Sequence, residues 1–356
     1  MRKSWRTTIA YFSAAVLLTV MAGCGAASTG SSEGGSKELN VFNWSEYLPE
    51  EVIKKFEERH GVKVNYSTFS SNEEMLAKVS VSNGTYDLTV ASDYYIQPMA
   101  KEGLIQPLDL NNIPNLKNLS EEYINKEHDP GNQYSIPYMG NTVSLAYNPE
   151  AIKTEITSLA DLWKPELKDQ IVMVDDLRFI LGMVLKSMGY SGNETDPARL
   201  EEAKQKMLEL MPNIKAFDSD SPKTLMINGE VNVAFVWGAE IALAQREKPQ
   251  FKTVLPKEGL MISFDNFVIP AGAKNKETAE AFINFLLEPE ISAEISQSFP
   301  YINPNKEAHP MIDKEIMENQ AIYLPAEELK RTESIQDIGD AMQLYDRVWS
   351  EVKSAQ

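Results

Sequence analysis

An α/β protein built on mostly parallel sheets is what this sequence predicts, on three observations. Strand-like and helix-like hydrophobic periods alternate along the chain. About 330 residues follow an N-terminal leader, enough for two domains. Five segments that read as strands end in an aromatic ring or a carboxylate, and parallel sheets bind ligands beyond the carboxyl ends of their strands.

The leader comes first. Arg2, Lys3 and Arg6 precede an apolar run from Ile9 to Ala22, too short for a comfortable membrane span and shaped like an export signal. It ends "VMAGC", a pattern similar to a bacterial lipoprotein box. Cys24 is the only cysteine of the 356 residues, so it has no internal disulfide partner, but it can carry lipid. Residues 1–23 are therefore expected to be a signal, and 24–37 ("GAASTGSSEGGSK" after the cysteine) a flexible tether. The formal charge of -18 becomes about -21 without the three leader bases. Such a surface repels nucleic acid and draws cations inward.

"LNVF", Leu39 to Phe42, alternates as a half-buried strand, and Trp44, Ser45, Glu46 and Tyr47 crowd its exit. "EEVIKKFEERHG" is a helix with Val52, Ile53 and Phe56 on one face and Gly61 as its stop. "VKVNYSTF" is a strand. Ser71 and Glu74 have capping-box spacing at the next helix. "YDLTVAS" is a strand whose exit holds Ser92 and Tyr94. "IVMV" is a short buried strand ending in Asp175 and Asp176, and "LRFILGMVLKSMGY" a helix after it. "VNVAFVW" ends in Trp237, with Glu240 three residues on. Asp265 follows the apolar "LMISF". "NKETAEAFINFLLEPE" is amphipathic and stops at Pro289. The last helix carries Tyr345 and Trp349, read as core. No lysine stands at the five exits, and Arg178 is the one base near them.

Carboxylates and ring faces together bind organic cations with apolar spacers. Metal is a poor fit. His60, His128 and His309 have no ligand spacing, and "DDLRF" lacks the residues of a calcium loop. Nucleophile and phosphate-loop motifs are absent, and no cofactor is implied. Paired acids with rings also suit a glycosidase. The residues alone leave three readings open: a binder of polyamines or another organic cation, a carbohydrate-active enzyme, and a surface lipoprotein that docks another protein.

"FNWSEYLP", "YSTFSSNEEMLAKV", "YDLTVASDYYIQPMAKEGLIQPLD", "YSIPYMGNTVSLAYN", "SLADLWKPELKDQIVMVDD", "GYSGNETDP" and "IPAGAKNKETAEAFINFLLEPE" together resemble the spermidine/putrescine-binding proteins of bacterial polyamine ABC transporters. The resemblance runs from about Glu38 to Lys353. It implies a two-lobed periplasmic-binding-protein fold of type II, each lobe a mostly parallel sheet flanked by helices, with a ligand cleft between and two crossover strands joining the lobes. It also implies no catalysis, a polyamine ligand (putrescine, spermidine or both), permease partners and a monomer. The expected lobes are 38–142 with 265–310, and 143–264 with 311–356. The location implied is the outer face of the cytoplasmic membrane through lipid on Cys24, or the periplasm.

The resemblance assigns ligand contacts to Trp44, Ser45, Glu46, Tyr47, Ser92, Tyr94, Asp176, Ser219, Trp237, Asp265, Tyr301 and Gln336. Two positions depart from the family pattern. Phe179 stands where spermidine-preferring relatives carry Glu, and Ser263 where they carry Trp. Glu240 is the expected replacement acid, because Trp-Gly-Ala-Glu is similar to the Trp-x-x-Asp of putrescine-preferring relatives.

Overall fold

The computed structural model describes residues 37–355. The signal, Cys24 and the tether expected before them lie outside the described residues. Ten strands and their helices alternate as the periods demand. The first, β1 (Lys37–Trp44), leads through α1 (Glu50–His60) to β2 (Val62–Phe69), and then through α2 (Asn72–Val81) to β3 (Leu88–Ser92). After α3 (Asp93–Lys101) comes the long β4 (Ser135–Tyr147). There follow β5 (Ile171–Met173), α4 (Leu177–Ser187), α5 (Pro197–Leu210), β6 (Ile214–Phe217), α6 (Lys223–Ile227), β7 (Val233–Trp237) and α7 (Gly238–Glu247). The chain then returns through β8 (Lys252–Val254) and β9 (Met261–Val268) to α8 (Lys276–Leu286) and α9 (Pro289–Ser298). Late elements include β10 (Glu333–Ser334) and a closing helix, Met342–Lys353.

Local chemistry sets the boundaries. Gly61 takes φ 63° and returns its N–H to the Glu57 carbonyl, so α1 stops where a left-handed cap costs least. Ser71 accepts from the Glu74 N–H at 3.1 Å, but the Glu74 carboxylate accepts from Ser70 N–H, so only one side of the expected box forms. Pro289 opens α9 at its first turn, while α8 has already ended at Leu286.

The strand order is β2-β1-β3-β9-β4-β7-β5-β6. Parallel pairs hold β1 to β2 and β3, and β5 to β6 and β7. Within each half the pairing is parallel, as expected, and the crossover strands at the centre run against it. There β9 lies antiparallel to β3 and β4, and β4 antiparallel to β7. The reason is topological: these long strands carry the chain from one half of the sheet to the other, so they cross the grain of the βαβ units. Ser135 to Thr142 of β4 pair with β9, and Val143 to Tyr147 with β7 and β8. All thirteen residues of β4 are buried. Apolar packing supports both halves. Phe56 meets Phe282 edge-on at 4.7 Å in the first, and Phe217 meets Trp349 at 5.4 Å in the second.

Candidate functional site

Strand ends of both halves meet at the crossover. Trp44 ends β1, Ser92 ends β3, Trp237 ends β7, and Asp176 follows β5. Asp265 differs from its expected place: it lies within β9, paired across to Ser92 and Met139, and does not follow a finished strand. These residues line one narrow slot, about 450 Å3 with the open solvent at its mouth counted.

Asp265 is nearly inaccessible, 3% exposed. Its Oδ1 accepts from Ser92 Oγ at 2.7 Å, and its Oδ2 from Tyr47 OH and Asn141 Nδ2, both at 2.6 Å. Burial pushes its carboxyl up, and the three donors pull it partly back. Each donor is worth about 1.5–3 kcal/mol to a charged acceptor. All three are neutral, and among the described residues no base pairs with Asp265 or Asp176. The site thus holds a carboxylate in place without cancelling its charge.

Asp176 caps α4: Oδ1 accepts from the N–H groups of Arg178 (2.9 Å) and Phe179 (3.0 Å). Oδ2 takes no part in the cap. Burial, then the nearby Glu73 carboxylate, push Asp176 up to about 7 against those N–H groups and the Arg178 charge. Arg178 itself is buried and held elsewhere. Its Nη2 donates to Asn193 Oδ1 and the Gln336 carbonyl, both at 3.0 Å, and its guanidinium lies over the Tyr94 and Tyr345 rings.

Rings wall the slot. Tyr47 packs on Tyr301 with centroids 4.8 Å apart, and Trp44 on Phe69 at 4.5 Å. Trp237 is fixed twice, by donating Nε1–H to the Ser219 carbonyl at 3.1 Å and by meeting the buried Phe179 edge-on at 5.2 Å. Two of the lining residues, Trp44 and Ser219, each carry a buried polar atom, Nε1 and Oγ, with no hydrogen-bond partner among the described residues.

Of the residues expected from sequence, Trp44, Ser45, Tyr47, Asp176, Phe179, Ser219, Trp237, Ser92, Asp265 and Tyr301 all line the slot. Four stand off its lining. Tyr94 lies behind it, where Asn72 Nδ2 donates to both Ser92 Oγ and Tyr94 OH. The Gln336 side chain is exposed, and it is the residue's carbonyl that holds Arg178. Glu46 and Glu240 are both taken by Lys223, a base that sequence reasoning missed at this place. Asn72, Asn141 and Asp220 also line the slot and were missed. Asn141 had a signal, since it is a polar residue inside the long apolar run "IPYMGNTVSLAY".

Among the described residues no three His, Cys, Asp or Glu side chains are grouped to hold a metal ion, and no helix is long and apolar enough to cross a membrane. A slot at a sheet crossover, walled by rings and floored by fixed acids, has the chemistry to bind a small organic cation. The chain is a member of the bacterial extracellular solute-binding protein family, whose model matches residues 51–323. It is 40% identical over 318 residues to the spermidine/putrescine-binding periplasmic protein of Salmonella typhimurium, covering 89% of this chain and 91% of that one. With the spermidine/putrescine-binding periplasmic protein of Escherichia coli it shares 38% over 335 residues, 93% and 96% of the two chains. A solved structure described as a putative spermidine/putrescine ABC transporter from Listeria monocytogenes superposes with TM-score 0.87 at 37% identity, covering 90% of this chain and all of that one. The fold is accordingly the two-lobed type II periplasmic-binding-protein fold.

Proposed function

We propose that this chain captures a polyamine in the crossover slot and delivers it to an ABC permease, without catalysis. The observation that carries this reading is the Asp265 carboxylate, buried, held by three neutral donors and lacking a base. A buried carboxylate without a counter-charge is costly, and a ligand ammonium removes that cost. Asp176 supplies the second anionic position, and Trp44, Tyr47, Trp237 and Tyr301 the faces on which an alkyl chain and its cations rest. The names of the Salmonella typhimurium and Escherichia coli relatives, both spermidine/putrescine-binding, support the same ligand class.

In this reading the lobes are 38–142 with 265–310 and 143–264 with 311–356. They close by a hinge at the crossovers of β4 and β9, because a ligand touching both halves binds the closed state better. The protein works as a monomer, leashed by lipid on Cys24 to the outer face of the cytoplasmic membrane. The test is a calorimetric and thermal-shift panel on ligand-stripped protein with putrescine, spermidine, spermine, sugars and amino acids. Polyamines are expected to bind at micromolar Kd or tighter and to raise Tm. A flat response to all three amines overturns the reading, as does release of reducing sugar from an oligosaccharide.

A further inference from the structure

Beside the slot lies an ion cluster of the protein's own making. Lys223 Nζ donates to Glu240 Oε1 at 3.0 Å, to Glu240 Oε2 at 3.1 Å, to Ser221 Oγ at 3.2 Å and to Glu46 Oε2. Its backbone N–H also donates to Glu240 Oε2 at 3.3 Å. Glu240 is buried, and Lys223 is largely shielded. Glu46 comes from the first half of the sheet, Lys223 and Glu240 from the second, so the contact bridges the two. The backbone of Glu46 is held at φ 49°, a left-handed conformation that a residue with a Cβ adopts at some cost.

The chemistry of this cluster is that of a bound amine. An ammonium on an alkyl stem meets two carboxylates and a hydroxyl, which is how the neighbouring slot is equipped to hold a ligand. The cluster is also continuous with that slot. Ser45 and Tyr47, on either side of Glu46, both line it, and the Tyr301 phenol lies in the field of Glu240, Asp265 and Glu46 together. Five acids thus surround the region: Lys223 engages Glu46 and Glu240, while Asp176, Asp265 and the exposed Asp220, which accepts from Ser45 Oγ, line the slot. Among the described residues none of these three pairs with a protein cation, and only Asp176 and Asp265 are withdrawn from solvent. Phe179 and Ser263 line the slot as neutral groups and add no further charge.

We propose that Lys223 is a specificity-determining residue: a built-in ammonium that fills one cation position at the end of the site and so sets the slot for a ligand with two charged heads. This rests on the polyamine reading above. A diamine satisfies Asp176 and Asp265. A triamine then finds only the exposed Asp220, where solvent weakens an ion pair, unless it displaces Lys223 from Glu240 and Glu46.

The experiment is calorimetry of putrescine and spermidine on the full mature chain and on Lys223→Met, which keeps an apolar stem and removes the charge. The parent is expected to bind spermidine no more than threefold tighter than putrescine. Lys223→Met frees Glu240 and Glu46, and the spermidine-to-putrescine affinity ratio is expected to rise at least tenfold. Lys223→Met/Glu240→Gln, which also removes the buried acid, is expected to lose most of that gain. The inference is overturned by a ratio in Lys223→Met within twofold of the parent's, or by a double variant that keeps the whole gain. A parent that already prefers spermidine tenfold overturns it too, and this needs no variant to fold. A parent that binds putrescine and spermidine alike, with the ratio unmoved by Lys223→Met, sinks only the role of Lys223. A parent that binds no polyamine sinks the functional reading and this inference with it.

Discussion

The two ends of the site hold similar acids in opposite states. At one, Asp265 is fixed by Tyr47, Ser92 and Asn141, which orient its carboxylate and leave its charge open. At the other, Glu240 and Glu46 close around Lys223, which takes the charge away. Burial pushes Glu240 up to about 7, with Lys223 opposing it. Lys223 is itself pushed down by burial but raised overall by the two carboxylates. Residue type therefore says little about which acid receives a ligand. What decides is whether the protein's own donors to it are neutral or cationic.

The comparison breaks most visibly at Asp265. Asp265→Asn keeps the shape but removes the charge, and it is expected to weaken polyamine binding by about 10- to 150-fold, the worth of roughly 1.5–3 kcal/mol for one charged hydrogen bond. Calorimetry checks it, and a loss under threefold would make Asp265 a structural acid like Glu240.

Asp176 sharpens the contrast through pH. With its carboxyl raised to about 7, the ligand-free site holds a proton there below that pH and a carboxylate above it. Polyamine ammonium groups, with pKa near ~10, stay charged throughout. Affinity is expected to fall as pH drops from 8 to 6, by up to about tenfold per unit below 7. The folded state binds this proton more tightly than the unfolded chain, whose Asp titrates near 3.8, so ligand-free stability has the opposite slope. It gains from Asp176 as pH falls from 7 towards 4. Asp176→Asn keeps a capping side chain, and it is expected to bind weakly and to flatten both profiles, read by titration and by Tm.

Glu240→Gln gives the smallest effect on binding. Lys223 retains Glu46, so the putrescine Kd is expected to move by less than threefold, with the change felt in ligand-free Tm instead. A loss as large as that of Asp265→Asn would mean that Glu240 meets the ligand directly, and the two ends would be alike.

Most of the site was legible because its positions follow local pattern. A strand period that breaks at Trp44, Ser92 or Trp237 marks an exit, and an acid before an apolar helical run, as at Asp176, marks a cap beside one. Asp265 was found for a partly wrong reason. Its apolar approach resembles a strand that has ended, whereas β9 continues to Val268 and pairs on both sides. The resemblance assigned Tyr94 and Gln336 to the ligand. In the fold Tyr94 is an acceptor for Asn72 and a face for Arg178, and the Gln336 backbone is an acceptor for Arg178.

The sequence by itself determined the alternation of strands and helices, the cap residues, the ring-and-acid chemistry at the strand ends, and a family resemblance along nearly the whole mature chain. Those features are read within a few residues, where hydrophobic period and backbone preference act. The tertiary structure alone decided that the crossover strands pair antiparallel with their neighbours, and which partner each acid takes. Lys223 and Glu46 are 177 positions apart, and Tyr47 and Asp265 are 218 apart. No local pattern encodes such pairs; they exist because β4 and β9 bring the two halves of the sheet together, and burial there makes each charge depend on its neighbours.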